Sequence, residues 1–272
     1  MRPALPAFDR LRGRGRALPD FIVVGAMKAG TTSLYAWLGE HPQVVGTEQK
    51  EVHYFDHNHA RGPDWYRRAF PKLAAIAERR ERLGKRVVTG ESSPYYLFHP
   101  LAAERIASLL PDVRIIALLR DPVERAYSHY RQTVRQGNEP LPFEQALAAE
   151  DERLEGAEQA LASGRAARVE AHRQYSYRSR GLYLDQLRRY FDRFPAGNIL
   201  VLRSEDMFEN PQAVFDRAVE FLGLDPLRLQ NPEPRNRAPE AAEAIPGEAK
   251  LRTWFEPHNR ALYDFLGRDM GW

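Results

Sequence analysis

The sequence contains no cysteine. Disulfides, thiolate metal sites and cysteine nucleophiles are therefore excluded, although this absence says little about the cellular compartment. No apolar run approaches the roughly 20 residues that a membrane-spanning helix needs. Residues 1–20 carry arginines without the apolar stretch of a signal peptide. Together these absences predict a cytoplasmic protein without a membrane span.

A large excess of charge of either sign is also missing. The chain has 40 basic and 37 acidic residues, which is not the balance of a nucleic-acid-binding protein, and we expect no nucleic-acid partner. Lysine is scarce, because only five of the 40 basic residues are lysines. A lysine retained in so arginine-rich a chain can indicate a need for a compact ammonium group. Two of the five, Lys28 and Lys50, lie in the motifs described below.

Short apolar strands alternate with turns and amphipathic helices along the chain, which predicts an α/β fold: a P-loop-like parallel sheet with helices on both faces. At 272 residues, one domain over residues 20–272 is expected. Residues 1–19, rich in Arg, Pro and Gly, are predicted to form a flexible basic arm. Residues 137–180 are predicted to form a helical insertion that covers a substrate cleft or decorates the surface. The strands are predicted at 21–24, 44–45, 86–89 and 198–203 and within "DVRIIALLRDP".

The first motif is "VVGAMKAGTTSLYAWL", in which Gly25 and Gly30 frame a turn between a strand and a helix. Such a turn aims backbone N–H groups and the positive helix end at an anion. In a nucleotide-triphosphatase loop the lysine follows the second glycine, whereas here Lys28 lies inside the turn. The pattern predicts an oxyanion cradle; a tight turn without a ligand is the simpler alternative. Hydroxyl donors follow at Thr31, Thr32 and Ser33.

The second motif, "LLRDPVERAYSHY", places Arg120 at the end of a predicted strand and Ser128 in the next helix. An arginine fork and a hydroxyl at the carboxyl edge of a sheet suit a phosphate. The simpler alternative is a structural ion pair between Arg120 and Asp121. Two separated anion sites on adjacent strand ends predict a ligand that is phosphorylated at both ends.

These two motifs resemble the cofactor-binding motifs of sulfotransferases that use 3′-phosphoadenosine 5′-phosphosulfate (PAPS), particularly the branch with heparan-sulfate sulfotransferases and bacterial relatives. The resemblance extends through "KEVHYFD", "GESSPYYLF", "RSRGLYLDQLRRYF" and "LRTWFEPHNRALYDFL". It implies that the first motif holds the 5′-phosphosulfate and that Arg120 and Ser128 hold the 3′-phosphate. Further cofactor contacts are implied for Lys28, Ala29, Gly30, Thr31, Thr32, Ser33, Tyr183 and Arg235.

The segment "KEVHYFDHNH" is dense in groups that can move protons. The resemblance implies that Glu51 removes the proton of the acceptor hydroxyl, with His53 as the alternative base. A positioned base typically supplies ~10²–10⁴-fold in rate. A surface ion pair between Lys50 and Glu51 is the structural alternative.

No metal is expected in this protein. His53, His57 and His59 lie close to Asp56 in the sequence, but their spacing does not match a helical zinc-protease pattern. A sulfuryl group in flight is closer to neutral than a phosphoryl group, so less charge has to be neutralised. We expect Lys28 to stabilise the leaving phosphate in place of a metal.

The predicted function is transfer of a sulfuryl group from PAPS to a hydroxyl of a carbohydrate or glycoconjugate. Heparan-type enzymes often carry a lysine before the serine–proline pair, and Ser92 at that place argues against a polyanionic glycan. The alternatives are a P-loop small-molecule kinase that uses ATP and Mg²⁺ and a non-catalytic nucleotide-binding protein. The sequence does not determine the acceptor, the regiochemistry or the oligomeric state. Acceptor contacts are predicted for Lys50, His53, Ser92 and Tyr95.

Overall fold

The computed structural model describes residues 15–47, 49–233 and 244–272. Most of the predicted basic arm lies outside these ranges, as does Arg235. The described end of the arm packs on the domain: the backbone N–H of Ala17 donates to the carbonyl of Pro71 at 3.0 Å, and Nη1 of Arg16 donates to the carbonyl of Phe70 at 2.5 Å.

A five-stranded parallel sheet with the order β2-β3-β1-β4-β5 forms the centre of the fold. All residues of β1 and β3 are buried, as are all but the first of β4. Because successive strand residues point to opposite faces, both faces of the sheet are covered. The predicted α/β class is therefore confirmed. The strands are β1 (Phe21–Gly25), β2 (Val44–Gly46), β3 (Val88–Ser92), β4 (Arg114–Leu119) and β5 (Ile199–Arg203).

The third strand lies further along the chain than predicted. It ends at Ser92 rather than at residue 89, because the polar stretch "GES" is paired within the sheet. The ring of Phe21 fills the space beside Gly90, where an added Cβ would lie 2.5 Å from a ring carbon. The polar composition of these residues therefore reflects a buried polar cluster rather than a loop.

Helices connect the strands and cover the sheet. The side chain of Asp121 accepts the backbone N–H groups of Val123 at 2.8 Å and Glu124 at 3.3 Å, and Pro122 follows the cap, so a helix begins there. The helices are α1 (Thr31–Glu40), α2 (Pro63–Arg67), α3 (Leu73–Leu83), α4 (Ala102–Leu109), α5 (Pro122–Arg135), α6 (Phe143–Ala148), α7 (Glu150–Leu154), α8 (Ala157–Ala162), α9 (Glu170–Gln174), α10 (Tyr183–Phe191), α11 (Ser204–Glu209), α12 (Pro211–Leu222) and α13 (Glu248–Leu266).

The predicted insertion, residues 137–180, consists of the four short helices α6 to α9. Buried Glu139 fixes its start, because it accepts hydrogen bonds from Arg153 at 2.6 Å and Tyr177 at 2.8 Å. At its other end His172 of α9 stacks on Phe98, with ring centroids 4.2 Å apart. The insertion therefore packs against the segment that follows β3.

The sheet topology decides where functional groups meet. In a parallel sheet the carboxyl ends of the strands lie at the same edge. The central strand β1 leads into the glycine turn, its neighbour β3 leads to Ser93, and its other neighbour β4 leads to Arg120. The motifs that follow these strands are therefore brought to one edge.

Candidate active site at the carboxyl edge of the sheet

The glycine turn is fixed by α11. A Cβ on Gly30, which has a φ of 92°, would lie 2.2 Å from Cε of Met207. The hydroxyl of Ser204 donates to the carbonyl of Ala29 at 2.8 Å. Within the described ranges, no side chain caps the start of α1 and its first turn has no acidic residue. Its backbone N–H groups and positive end are thus oriented for an anion.

The side chains of the turn lie at different depths. Thr31 and Ser33 are buried in the first turn of α1, whereas Thr32 and Lys28 are half-buried. Lys28 has a φ of 74°, which residues other than glycine rarely adopt. The pKa of Lys28 is lowered to about 8 by burial and by the positive charges of three arginines. Those arginines are Arg135, Arg120 and Arg125.

Two buried arginines near the turn were not predicted from the sequence. Arg125 is 0 % exposed; one Nη donates to the carbonyl of Tyr177, but Nε and the other Nη have no partner among the described residues. Arg180 is 1 % exposed and its Nη1 lies 2.8 Å from Sδ of Met27. Buried N–H groups without acceptors are costly, so a ligand rich in oxygen atoms fits here. The signal for them in the sequence was their position, because Arg125 lies within "LLRDPVERAYSHY" and Arg180 within "RSRGLYLDQLRRYF".

The second motif meets the first one. Nη1 of Arg120 donates to the carbonyl of Lys28 at 3.3 Å, so this guanidinium faces the glycine turn. Its Nη2 donates to Glu124 at 2.7 Å, and the hydroxyl of Tyr183 donates to the carbonyl of Arg120 at 2.8 Å. Ser128 is half-buried and lies four residues after Glu124 on α5, hence on the same helix face. The residues predicted to bind the cofactor, Lys28, Arg120 and Tyr183 among them, therefore lie close together.

A chain of polar contacts joins the turn to the predicted base. Nζ of Lys50 donates to Oγ1 of Thr32 at 2.8 Å and to Oε1 of Glu51 at 3.0 Å. Oε2 of Glu51 lies 3.2 Å from Nε2 of His53, whose Nδ1 lies 2.6 Å from Oδ2 of Asp56. The ion pair between Lys50 and Glu51 is thus present, and it is one link of a longer chain.

The protonation states in this chain favour Glu51 over His53 as a base. Burial lowers the pKa of His53, but hydrogen bonds to Asp56 and Glu51 outweigh it and raise the pKa to about 9. Burial raises the pKa of Glu51, but His53 and Lys50 outweigh it and hold the pKa below its usual value. At neutral pH the histidine is therefore protonated and has no free lone pair, whereas the carboxylate is ionised and 41 % exposed.

A possible metal-ligand set lies in the same segment. Ligand atoms of His53, Asp56 and His57 lie within 4.8 Å of one another. Both carboxylate oxygens of Asp56 already accept hydrogen bonds, Oδ2 from His53 at 2.6 Å and Oδ1 from the backbone N–H of His57 at 2.5 Å. The expected absence of a metal stays a prediction.

Two of the predicted acceptor contacts are not supported by their positions. Ser92 is 0 % exposed, and Tyr95 is 6 % exposed with its hydroxyl 2.7 Å from Nδ1 of His172. The reason is that β3 extends to Ser92 and that α9 packs over Tyr95. The side chains of Lys50 and His53 remain partly exposed beside Glu51.

The chain is similar to several known proteins. The family model described as "Sulfotransferase domain" matches residues 18–235. The Dictyostelium discoideum protein "Membrane-associated sulfotransferase kil1" is 25% identical over 96% of this chain and 68% of its own length. The Mus musculus protein "Heparan sulfate glucosamine 3-O-sulfotransferase 3B1" is 28% identical over 94% of this chain and 65% of its own length. The chain thus spans about two thirds of these relatives.

A solved structure is also similar. A sulfotransferase from Alicyclobacillus acidocaldarius is 29% identical, with a TM-score of 0.70 over 93% of this chain and 97% of that one. None of the helices within residues 15–47, 49–233 and 244–272 combines the length and apolar character needed to cross a membrane.

Proposed function

Because this chain belongs to the sulfotransferase-domain family, we propose that it transfers a sulfuryl group from PAPS to a hydroxyl of a carbohydrate or glycoconjugate. The observation that carries this proposal is the chain of contacts from Thr32 through Lys50 to Glu51. It links an anion-binding turn directly to an ionised carboxylate. The names of relatives that act on heparan sulfate support a glycan acceptor.

On the donor side, the start of α1 and Lys28 would hold the 5′-phosphosulfate, and Arg120 with Ser128 would hold the 3′-phosphate. PAPS supplies the sulfuryl group and a phosphate leaving group. The unpartnered N–H groups of Arg125 fit such a ligand, because they provide donors inside a buried positive region. Tyr183 holds the backbone of Arg120 through its hydroxyl.

On the acceptor side, Glu51 accepts the proton of the attacking hydroxyl. Lys50 and His53 each hold one of its carboxylate oxygens, which fixes the carboxylate for in-line attack. The Lys28 ammonium stabilises the negative charge that develops on the leaving phosphate. The base and the start of α1 are tied together by Lys50, which donates to Thr32.

The first test compares ligands. A ligand present at a hundredfold its Kd stabilises the folded state by ~2.7 kcal/mol, which is visible as a rise in Tm. We expect a rise with adenosine 3′,5′-bisphosphate and little change with ATP and Mg²⁺; the opposite preference would support the kinase alternative, which the family assignment does not favour.

Product mass spectrometry over a panel of sugars, glycolipids and phenols would then identify the acceptor. A carbohydrate hydroxyl is the expected product site, and transfer to phenols alone would contradict it. A cytoplasmic location also remains a prediction, since one relative is named as membrane-associated. Fractionation of cells would test it.

A further inference from the structure

Glu91 is a fully buried carboxylate directly behind the base segment, residues 51–56. It lies in β3, is 0 % exposed, and accepts hydrogen bonds from three hydroxyl groups. Tyr66 donates to it at 2.5 Å, Ser93 at 2.7 Å and Tyr96 at 3.3 Å. A buried carboxylate with three hydroxyl donors and, among the described residues, no ion pair to a basic side chain requires an explanation.

Two of these hydroxyls continue to the backbone of the base segment. Oγ of Ser93 accepts a hydrogen bond from the backbone N–H of His53 at 3.2 Å. The hydroxyl of Tyr96 accepts one from the backbone N–H of Tyr54 at 2.7 Å. A hydroxyl has one proton and two lone pairs. Because each proton is donated to Glu91, the lone pairs of both hydroxyls are turned toward the N–H groups.

The base segment needs such anchors. His53 has a φ of 55°, in the left-handed region that residues other than glycine rarely adopt. A conformation of this kind persists only where the surrounding structure fixes it. The backbone at His53 sets the direction of its imidazole, which contacts both Glu51 and Asp56.

We propose that Glu91 is a positioning residue: it orients the hydroxyls of Ser93 and Tyr96 to hold the backbone at residues 53 and 54, and thereby fixes the His53 imidazole against the base. The catalytic part of this inference rests on the proposed role of Glu51.

Glu91 acts purely as an acceptor only in its ionised form, which predominates above about pH 7. Burial raises the pKa of Glu91 to about 7, the charge of Asp56 adds to the rise, and hydrogen bonds from Tyr66 and Ser93 oppose it. The other titratable groups that face it are Tyr96 and Tyr35. The ionised form accepts from all three hydroxyls, whereas a protonated form would force one of them to turn.

The test is Glu91→Gln with Tyr66→Phe as its matched control. The glutamine presents an NH₂ donor, so one hydroxyl has to reverse, whereas Tyr66→Phe removes a donor that does not reach the base segment. The imidazole pKa of His53 is read by NMR titration of ¹³C-histidine-labelled protein, assigned with His53→Gln. We expect about 9 in the wild type and in Tyr66→Phe, and a value that falls toward 6.5 in Glu91→Gln.

The same titration pH for His53 in Glu91→Gln and the wild type would overturn the proposal. Urea unfolding reports whether Glu91→Gln folds. If it does not fold, Ser93→Ala replaces it, because this smaller change removes the hydroxyl that links Glu91 to the backbone N–H of His53. An unchanged titration pH of His53 in Ser93→Ala would then overturn the proposal. This readout needs no acceptor, so it stands apart from the proposed function, which fails if no acceptor is sulfated.

With an acceptor from the product panel, kcat should fall by about tenfold or more in Glu91→Gln, because misplacement of a catalytic group by about 1 Å can cost ~10²-fold. The KM for that acceptor and the Kd for adenosine 3′,5′-bisphosphate should stay unchanged. An unchanged kcat with a shifted His53 titration would overturn the catalytic part of the inference.

Discussion

The candidate site has two sides that handle charge in opposite ways: a donor wall with Lys28, Arg120 and Arg125, and a base wall with Lys50, Glu51 and His53. On the donor wall, Lys28 is surrounded by arginine charges, and Nε and one Nη of buried Arg125 have no partner among the described residues. On the base wall, Lys50, Glu51 and His53 are joined by short contacts in alternating sign. Buried charges are costly unless they are paired. The base wall is therefore assembled in advance, and we expect an anionic ligand to complete the donor wall.

The comparison separates two kinds of effect. Substitutions on the base wall should lower the rate of sulfuryl transfer and leave the affinity for the donor unchanged. Substitutions on the donor wall should change the affinity for the donor. The Lys50–Thr32 contact is where the two walls meet.

The largest expected effect is that of Glu51→Gln. The amide cannot accept a proton, so kcat should fall by ~10²–10⁴-fold, the range that a positioned base supplies. The Kd for adenosine 3′,5′-bisphosphate, measured by calorimetry, should stay the same. Normal turnover would show that another group, such as His53, is the base.

Arg120→Ala should weaken donor binding. A hydrogen bond to a charged group contributes ~1.5–3 kcal/mol, which corresponds to about a 10- to 100-fold rise in the Kd for adenosine 3′,5′-bisphosphate. Arg188→Ala is the control, because this arginine of α10 is 56 % exposed. An unchanged Kd in Arg120→Ala would contradict its contact with the 3′-phosphate.

Donor affinity should also depend on pH. The pKa of Lys28 is lowered to about 8, so the free protein loses this positive charge as the pH rises through that value. The Kd should then rise by up to about tenfold for each further pH unit, and binding near pH 8 should take up protons. Calorimetry in buffers of different ionisation enthalpy measures this uptake; Lys28→Met should lack it, and an equal uptake in that variant would exclude Lys28 as its source.

The smallest expected effect is a gain in affinity. Glu124 binds the guanidinium of Arg120 through Nη2 and competes with a phosphate. The carboxylate is 43 % exposed, and exposed ion pairs contribute ~0–1 kcal/mol. Glu124→Gln should therefore bind adenosine 3′,5′-bisphosphate up to about fivefold more tightly. Weaker binding would show instead that Glu124 holds Arg120 in the binding orientation.

Local sequence patterns predicted much of this architecture. The sequence predicted the strand, glycine turn and helix around Gly30, and the strand and helix around Arg120. These predictions were possible because hydrophobic periodicity and turn-forming residues are properties of residues that are adjacent in the sequence. The family, the enzyme class and the parallel sheet are confirmed. The helices α2, α3 and α11 were not predicted; α2 and α11 are short and α3 buries only Ile76, so their apolar pattern is weak.

The sequence by itself determined the two motifs predicted to bind the cofactor and the acidic and basic groups of residues 50–56. Only the tertiary structure decided that Lys50 bridges to Thr32, that Nε and one Nη of buried Arg125 have no partner among the described residues, and that Glu91 anchors the base segment. These features depend on burial and on contacts between segments that are distant in the chain. Desolvation makes a buried charge costly and an anchor effective, and it arises only when the folded chain excludes water from these groups.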